Sequence, residues 1–169
     1  SQRFDLPAST IDITWKENDT PEIIGVEQQV LDVAIAHEDR TVICVSAPGP
    51  VECCLATINA RDRKDWNHLL GDARRPLLDR LIDQGEALDA AGTRIWAAAK
   101  TLDRAGGHTD GQLTLAGKDR DAVLFRCGQD ADASIQILTV AVRLTWGLPM
   151  IFAVTVVEEV VPQVPEHLL

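Results

Sequence analysis

Two short stretches pair an imidazole with carboxylates. His37 is followed by Glu38 and Asp39, and His108 stands two residues before Asp110. Histidine titrates near neutral pH, so a carboxylate beside it can make a general acid–base couple. If the two loops met in space, His37, Asp39, His108 and Asp110 would form such a site. A solvated loop histidine accounts equally for each stretch and is the preferred reading.

Other reactive patterns are incomplete. There is no His-Glu-x-x-His, no Cys-x-x-Cys, and no histidine pair at helical spacing, so no metal set is expected. Gly111 and Gly117-Lys118 approach a phosphate loop but with five intervening residues instead of four. Asp119 then stands where a metal-binding hydroxyl belongs. Asp130, Asp132 and Ser134 have the opening cadence of a calcium loop, yet Ile135 occupies the glycine position and no glutamate closes it. None of Ser1, Ser9, Ser46 and Ser134 lies in Gly-x-Ser-x-Gly. No Gly-x-Gly-x-x-Gly and no tyrosine occur. No cofactor is expected, and the balance leans away from an enzyme.

Cys44, Cys53, Cys54 and Cys127 read as reduced thiols, mostly packed in the interior. Trp15, Trp66, Trp96 and Trp146 read as core or interface anchors.

The net charge is −10, from 16 basic and 26 acidic residues. That disfavours a duplex nucleic-acid partner, which needs a basic footprint. The charge is uneven: residues 1–60 hold 3 basic and 10 acidic groups. Residues 61–80 gather Arg61, Arg63, Lys64, Arg74, Arg75 and Arg80 among four aspartates, read as a solvated helical surface. No apolar run approaches the length of a membrane helix, and the first residues lack a signal-peptide layout. The expectation is a cytoplasmic protein without membrane contact. Its leading serine is read as following a removed methionine.

These residues must be positioned by an α+β fold, expected as a single domain over 1–169. Residues 1–60 should be mainly β, 62–105 mainly helical, 111–160 a β-meander and 161–169 an extended tail. Ile11, Ile13 and Trp15 alternate with polar neighbours and predict a half-buried strand over 9–15, followed by a loop over 17–22. The stretches flanking His-Glu-Asp-Arg predict a hairpin over 30–46, with a helix through 27–36 competing. Pro48-Gly49-Pro50 should end that unit before one more strand, Val51–Ile58.

Asp62 with Asp65 predicts a helix start, Gly71-Asp72 an interruption, and Pro76 the first turn of a second helix. Leu78, Leu81, Gly85, Leu88, Gly92, Ile95, Ala99 and Leu102 recur at alternating steps of three and four, one helix face. Helix is expected through Ala91 and favoured to Arg104, with a break at Gly92 where Thr93 caps a new helix, or a strand over 93–102, still open. Gly85 and Gly92 then imply close approach by a neighbour's backbone, since each glycine costs about 1 kcal/mol in a helix interior.

The last third predicts strands joined at Gly117–Arg120 and at Gly147-Leu148-Pro149, with both faces of the final hairpin apolar. All strands are expected in one curved antiparallel sheet, helices packed on one face. From this comes the functional expectation of a non-enzymatic protein-binding module: an adaptor, chaperone or inhibitor, homo-oligomeric or taking a basic protein partner. Its apolar patch is expected at Trp146, Leu148, Met150 and Phe152. The alternative is a small-ligand binder or enzyme with the His/Asp groups in a pocket between sheet and helices.

Overall fold

A computed structural model describes residues 12–15, 21–24, 32–106, 113–128, 134–145 and 147–156. Its architecture is α+β, with antiparallel sheets and helices against one sheet face. Five strands form the main sheet in the order β5 (Cys53–Thr57), β9 (Met150–Val156), β8 (Ile135–Val142), β7 (Ala122–Cys127), β6 (Leu113–Asp119). The expectation of one sheet is corrected here. Among the described residues β3 (Asp32–Glu38) and β4 (Thr41–Ala47) pair only with each other, as do β1 (Asp12–Trp15) and β2 (Pro21–Ile24).

Strand alternation divides the main sheet into two faces. Cys54, Ala56, Ile151, Ala153, Ile137, Val123 and Phe125 point towards the helices and are buried with them in the larger core. Cys53, Leu55, Met150, Phe152 and Val154 point the other way, into a second core closed by Ala34, Ala36, Ile43 and Val45 of the β3–β4 hairpin. Two carboxylates fasten that hairpin to β5. Asp32 accepts from the Val51 N–H at 3.0 Å, and Glu38 from the Thr57 N–H at 3.3 Å. The hairpin over 30–46 is thus as expected, and no helix forms over 32–38. β2 begins inside the expected loop, and Trp15, expected half-buried, is 57% exposed.

Three helices cover the first face. α1 (Arg63–Leu70) begins where the Asp62 carboxylate accepts from the Asp65 N–H at 2.8 Å and ends at Gly71. α2 (Arg75–Asp83) has Pro76 in its first turn. The long helix expected through Ala91 is broken, and Gly85 breaks it. Gly85 adopts φ +87°, its N–H bonds to Ile82 O at 2.8 Å, and the Glu86 N–H bonds to Leu81 O at 3.1 Å. This is the double-bonded helix ending that a left-handed glycine allows. No atom lies within 4 Å of a Cβ built at Gly85, so its expected role in close packing is overturned.

α3 (Leu88–Arg104) is continuous through 93–102, which excludes the strand. Gly92 sits inside it, and an added Cβ would fall under 3.0 Å from the Trp66 ring. The close neighbour is a side chain of α1, not a backbone. The Asp89 carboxylate accepts from Trp66 Nε1 at 2.9 Å and from the Arg61 N–H at 3.0 Å, locking the ring over Gly92.

Glu86, turned inward by the Gly85 ending, binds Arg94 Nε at 2.7 Å. Arg94 is 3% exposed and also donates to Thr139 O (2.9 Å) and Oγ1 (3.1 Å) on β8. Thr139 Oγ1 in turn donates to Val123 O at 2.9 Å. A buried charge is tolerable when paired and hydrogen-bonded in this way. The network ties the α2–α3 junction to the middle of the sheet.

Candidate binding surfaces

β4 is the first candidate. Its register with β3 runs Glu38 with Thr41, Ile35 with Cys44 and Asp32 with Ala47, around the two-residue turn Asp39-Arg40. The pair flanking such a turn is hydrogen-bonded and pairs alternate from there. Thr41, Ile43, Val45 and Ala47 therefore bond to β3, while the N–H and C=O groups of Val42, Cys44 and Ser46 face outward. Among the described residues β4 has no strand on that side.

Side chains follow the same alternation. Ile43 and Val45 pack into the second core, whereas Val42 is 67% exposed and Cys44 and Ser46 are exposed. Thr41–Ala47 contains no charge and no proline. Natural edge strands are normally blunted by one or the other.

The residues expected to form a patch on the last hairpin differ in exposure. Leu148 is 58% exposed, but Met150 is 4% exposed and buried in the second core, with Phe152 half-buried against it. Trp146 lies outside the described residues. The connection between β8 and β9 is also longer than the expected turn, spanning 143–149. The turn between β6 and β7 falls at Arg120-Asp121, later than expected, after a bulge between Leu115 and Gly117.

His37 is an exposed residue of β3, and Asp39 is exposed in the turn at φ +52°. Among the described residues no hydrogen bond or ion pair joins them. His108 and Asp110 lie outside the described residues, as do Gly111, Asp130 and Asp132, so those stretches stay expectations. Of the basic residues, Arg63 pairs with Asp79 and Arg75 with Asp72, both pairs on the surface.

The second candidate is a cleft of about 170 Å³ where the end of β3 and β5 meet α1 and α3. Ala56, Leu69, Trp66 and Trp96 supply apolar surface, and Glu38 and Arg61 bring opposite charges to it. The Arg61 guanidinium lies 5.5 Å from the centre of the Trp66 ring, a cation–π distance. Neither candidate is flagged by a motif. β4 is visible in the sequence only as an uncharged alternating strand, and the cleft gathers residues from four separate elements.

Thiol chemistry is confined to one position. All four cysteines are free; Cys44 is exposed and Cys53, Cys54 and Cys127 are buried. Burial pushes the Cys53 thiol up to about 12, against a smaller opposing pull from Arg104, and raises Cys54 and Cys127 as well. These three are protonated, packed side chains at neutral pH.

Among the described residues no three His, Cys, Asp or Glu side chains converge as metal ligands, and no helix is long and apolar enough to cross a membrane. No known protein family, curated protein or solved structure matches the chain.

Proposed function

We propose that this protein is a protein-binding module that captures an extended, basic segment of a partner by adding it as a strand to β4. The observation that carries this reading is the uncharged, unblunted edge of Thr41–Ala47. Its outward N–H and C=O groups supply the generic part of strand addition. Its inner side chains, Ile43 and Val45, are already anchored in the second core, so the edge is held in place before binding.

The partner's charge follows from the chain's own. Residues 1–60 carry 3 basic and 10 acidic groups, and the whole chain −10. Complementary potential steers a basic segment to such a surface. The same charge opposes two copies pairing β4 to β4, so a partner segment is favoured over self-association.

The test uses seven-residue peptides alternating Lys with Val or Ile, followed by amide shifts in solution. Binding should perturb Val42, Cys44 and Ser46 and weaken as salt is added. Val42→Pro, which removes one outward donor without touching a β3 bond, should weaken binding at least about tenfold. A protein that ignores such peptides but forms a dimer abolished by Val42→Lys would replace this reading with self-association.

A second reading, a small-ligand binder, is favoured by the cleft between Trp66 and Trp96.

A further inference from the structure

The cleft between β5, α1 and α3 is a preorganised pocket with one charge of each sign. Trp66 is fixed from two sides: Gly92 leaves room beneath the ring, and Asp89 holds its indole N–H at 2.9 Å. Asp89 also holds the Arg61 backbone N–H at 3.0 Å, which seats the guanidinium near that ring. Across the lining, Glu38 uses Oε1 to accept from the Thr57 N–H at 3.3 Å. Among the described residues neither the Arg61 guanidinium nor the Glu38 carboxylate has an ion-pair partner, and Glu38 Oε2 accepts no hydrogen bond. The remaining lining is half apolar, with Trp96, Leu69 and Ala56, and half uncharged polar, with Thr57, Asn59 and Thr93.

Size and charge together restrict the occupant. A cleft of about 170 Å³ is of the size that takes a single small ring or a short aliphatic chain. A purely anionic ligand would satisfy Arg61 and be repelled by Glu38; a purely cationic one would do the reverse. A neutral apolar ligand would gain nothing from either charge, of which Arg61 is exposed and Glu38 half-buried. We infer that the cleft binds a small zwitterion, a free α-amino acid with an apolar side chain. Its carboxylate meets Arg61, its ammonium meets Glu38, and its side chain lies against Trp96, Leu69 and Ala56. This site is separate from the β4 edge and does not depend on it.

The test titrates the full chain with L-leucine and L-phenylalanine, read by calorimetry and by tryptophan fluorescence. The same titrations with N-acetyl-leucine and leucinamide remove one ligand charge at a time, as a peptide terminus would. Binding of the free amino acid is expected, with each cap weakening it at least about tenfold, the loss of one charge-assisted hydrogen bond. Glu38→Gln and Arg61→Gln should weaken the free amino acid by a similar factor. Glu38→Gln should not weaken N-acetyl-leucine, which lacks the ammonium; with the repelling carboxylate gone it should bind tighter than to the wild-type chain. Absence of binding by both amino acids at millimolar concentration would overturn the inference. So would capped ligands that bind the wild-type chain as tightly as the free ones.

Discussion

The two faces of the main sheet are built from the same strands and differ in what covers them. On the helix side, Phe125, Ile137, Ile151, Leu78, Leu81 and Ile95 are fully buried, and Arg94 stitches helix to sheet through Thr139. On the hairpin side the cover is one thin layer, contributing Ala34, Ala36 and the half-buried Ile43 and Val45. It reaches Val142 on β8, and beyond it Leu124, Leu138 and Val140 remain only half-buried. The first face closes on itself. The second ends at β4, a strand whose inner side is satisfied and whose outer edge is not. The main stabilising core and the open strand edge are therefore on opposite sides of one sheet.

That division can be broken by mutation. Phe125→Ala, at the centre of the helix side, should cost about 3–5 kcal/mol in urea unfolding followed by circular dichroism. A loss below about 1 kcal/mol would remove the helix side as the main source of stability. Gly92→Ala should follow at about 1–3 kcal/mol, because the added methyl meets a ring held by Asp89, outweighing alanine's better helix propensity. In a Trp66→Leu background the same change should cost nothing or stabilise.

Ile43→Ala, on the hairpin side, should cost only about 1–2 kcal/mol, the share of a half-buried side chain. Val42→Lys should change stability by no more than about 0.5 kcal/mol while abolishing peptide capture. A destabilisation as large as that of Ile43→Ala would mean that Val42 is packed, not presented.

Thiol labelling sharpens the same contrast. Iodoacetamide at pH 8 should modify Cys44 in the native protein and reach Cys53, Cys54 and Cys127 only on unfolding, as read by peptide mass spectrometry. Because Cys53 is raised from 9.0 to about 12 in the fold, its contribution to stability is complete below about pH 9. It is lost as pH rises towards 12, since the unfolded chain then releases a proton that the folded chain keeps.

Much of this fold is legible in the sequence. Short-range chemistry announces itself: the Asp62 cap, Pro76, the turn after His37-Glu38, and the alternating apolar strands of the last third. Gly85 misleads because the three-and-four spacing of leucines continues through it. Nothing in that spacing distinguishes a glycine inside a helix from one that ends it. Where one sheet is expected, Asp32 and Glu38 join the hairpin to the N–H groups flanking and ending β5 through their carboxylates, a pairing 19 residues apart with no local signature. The two candidate surfaces are hidden for the same reason. An edge is defined by a missing neighbour, and the cleft by residues that meet only after folding. Trp66, Trp96 and Arg61 read as core anchors and a solvated charge until α1 and α3 are placed together.

The central claim is that β4 presents an open hydrogen-bonding edge on a closed inner face. Residue-resolved amide exchange of the full chain tests it without knowledge of the partner. The N–H groups of Ile43 and Val45 should be protected, and those of Val42, Cys44 and Ser46 should exchange fast. Adding the basic alternating peptide should slow the latter three. Uniform protection of Val42 through Ser46 in the free protein would show the edge already covered and would contradict the account.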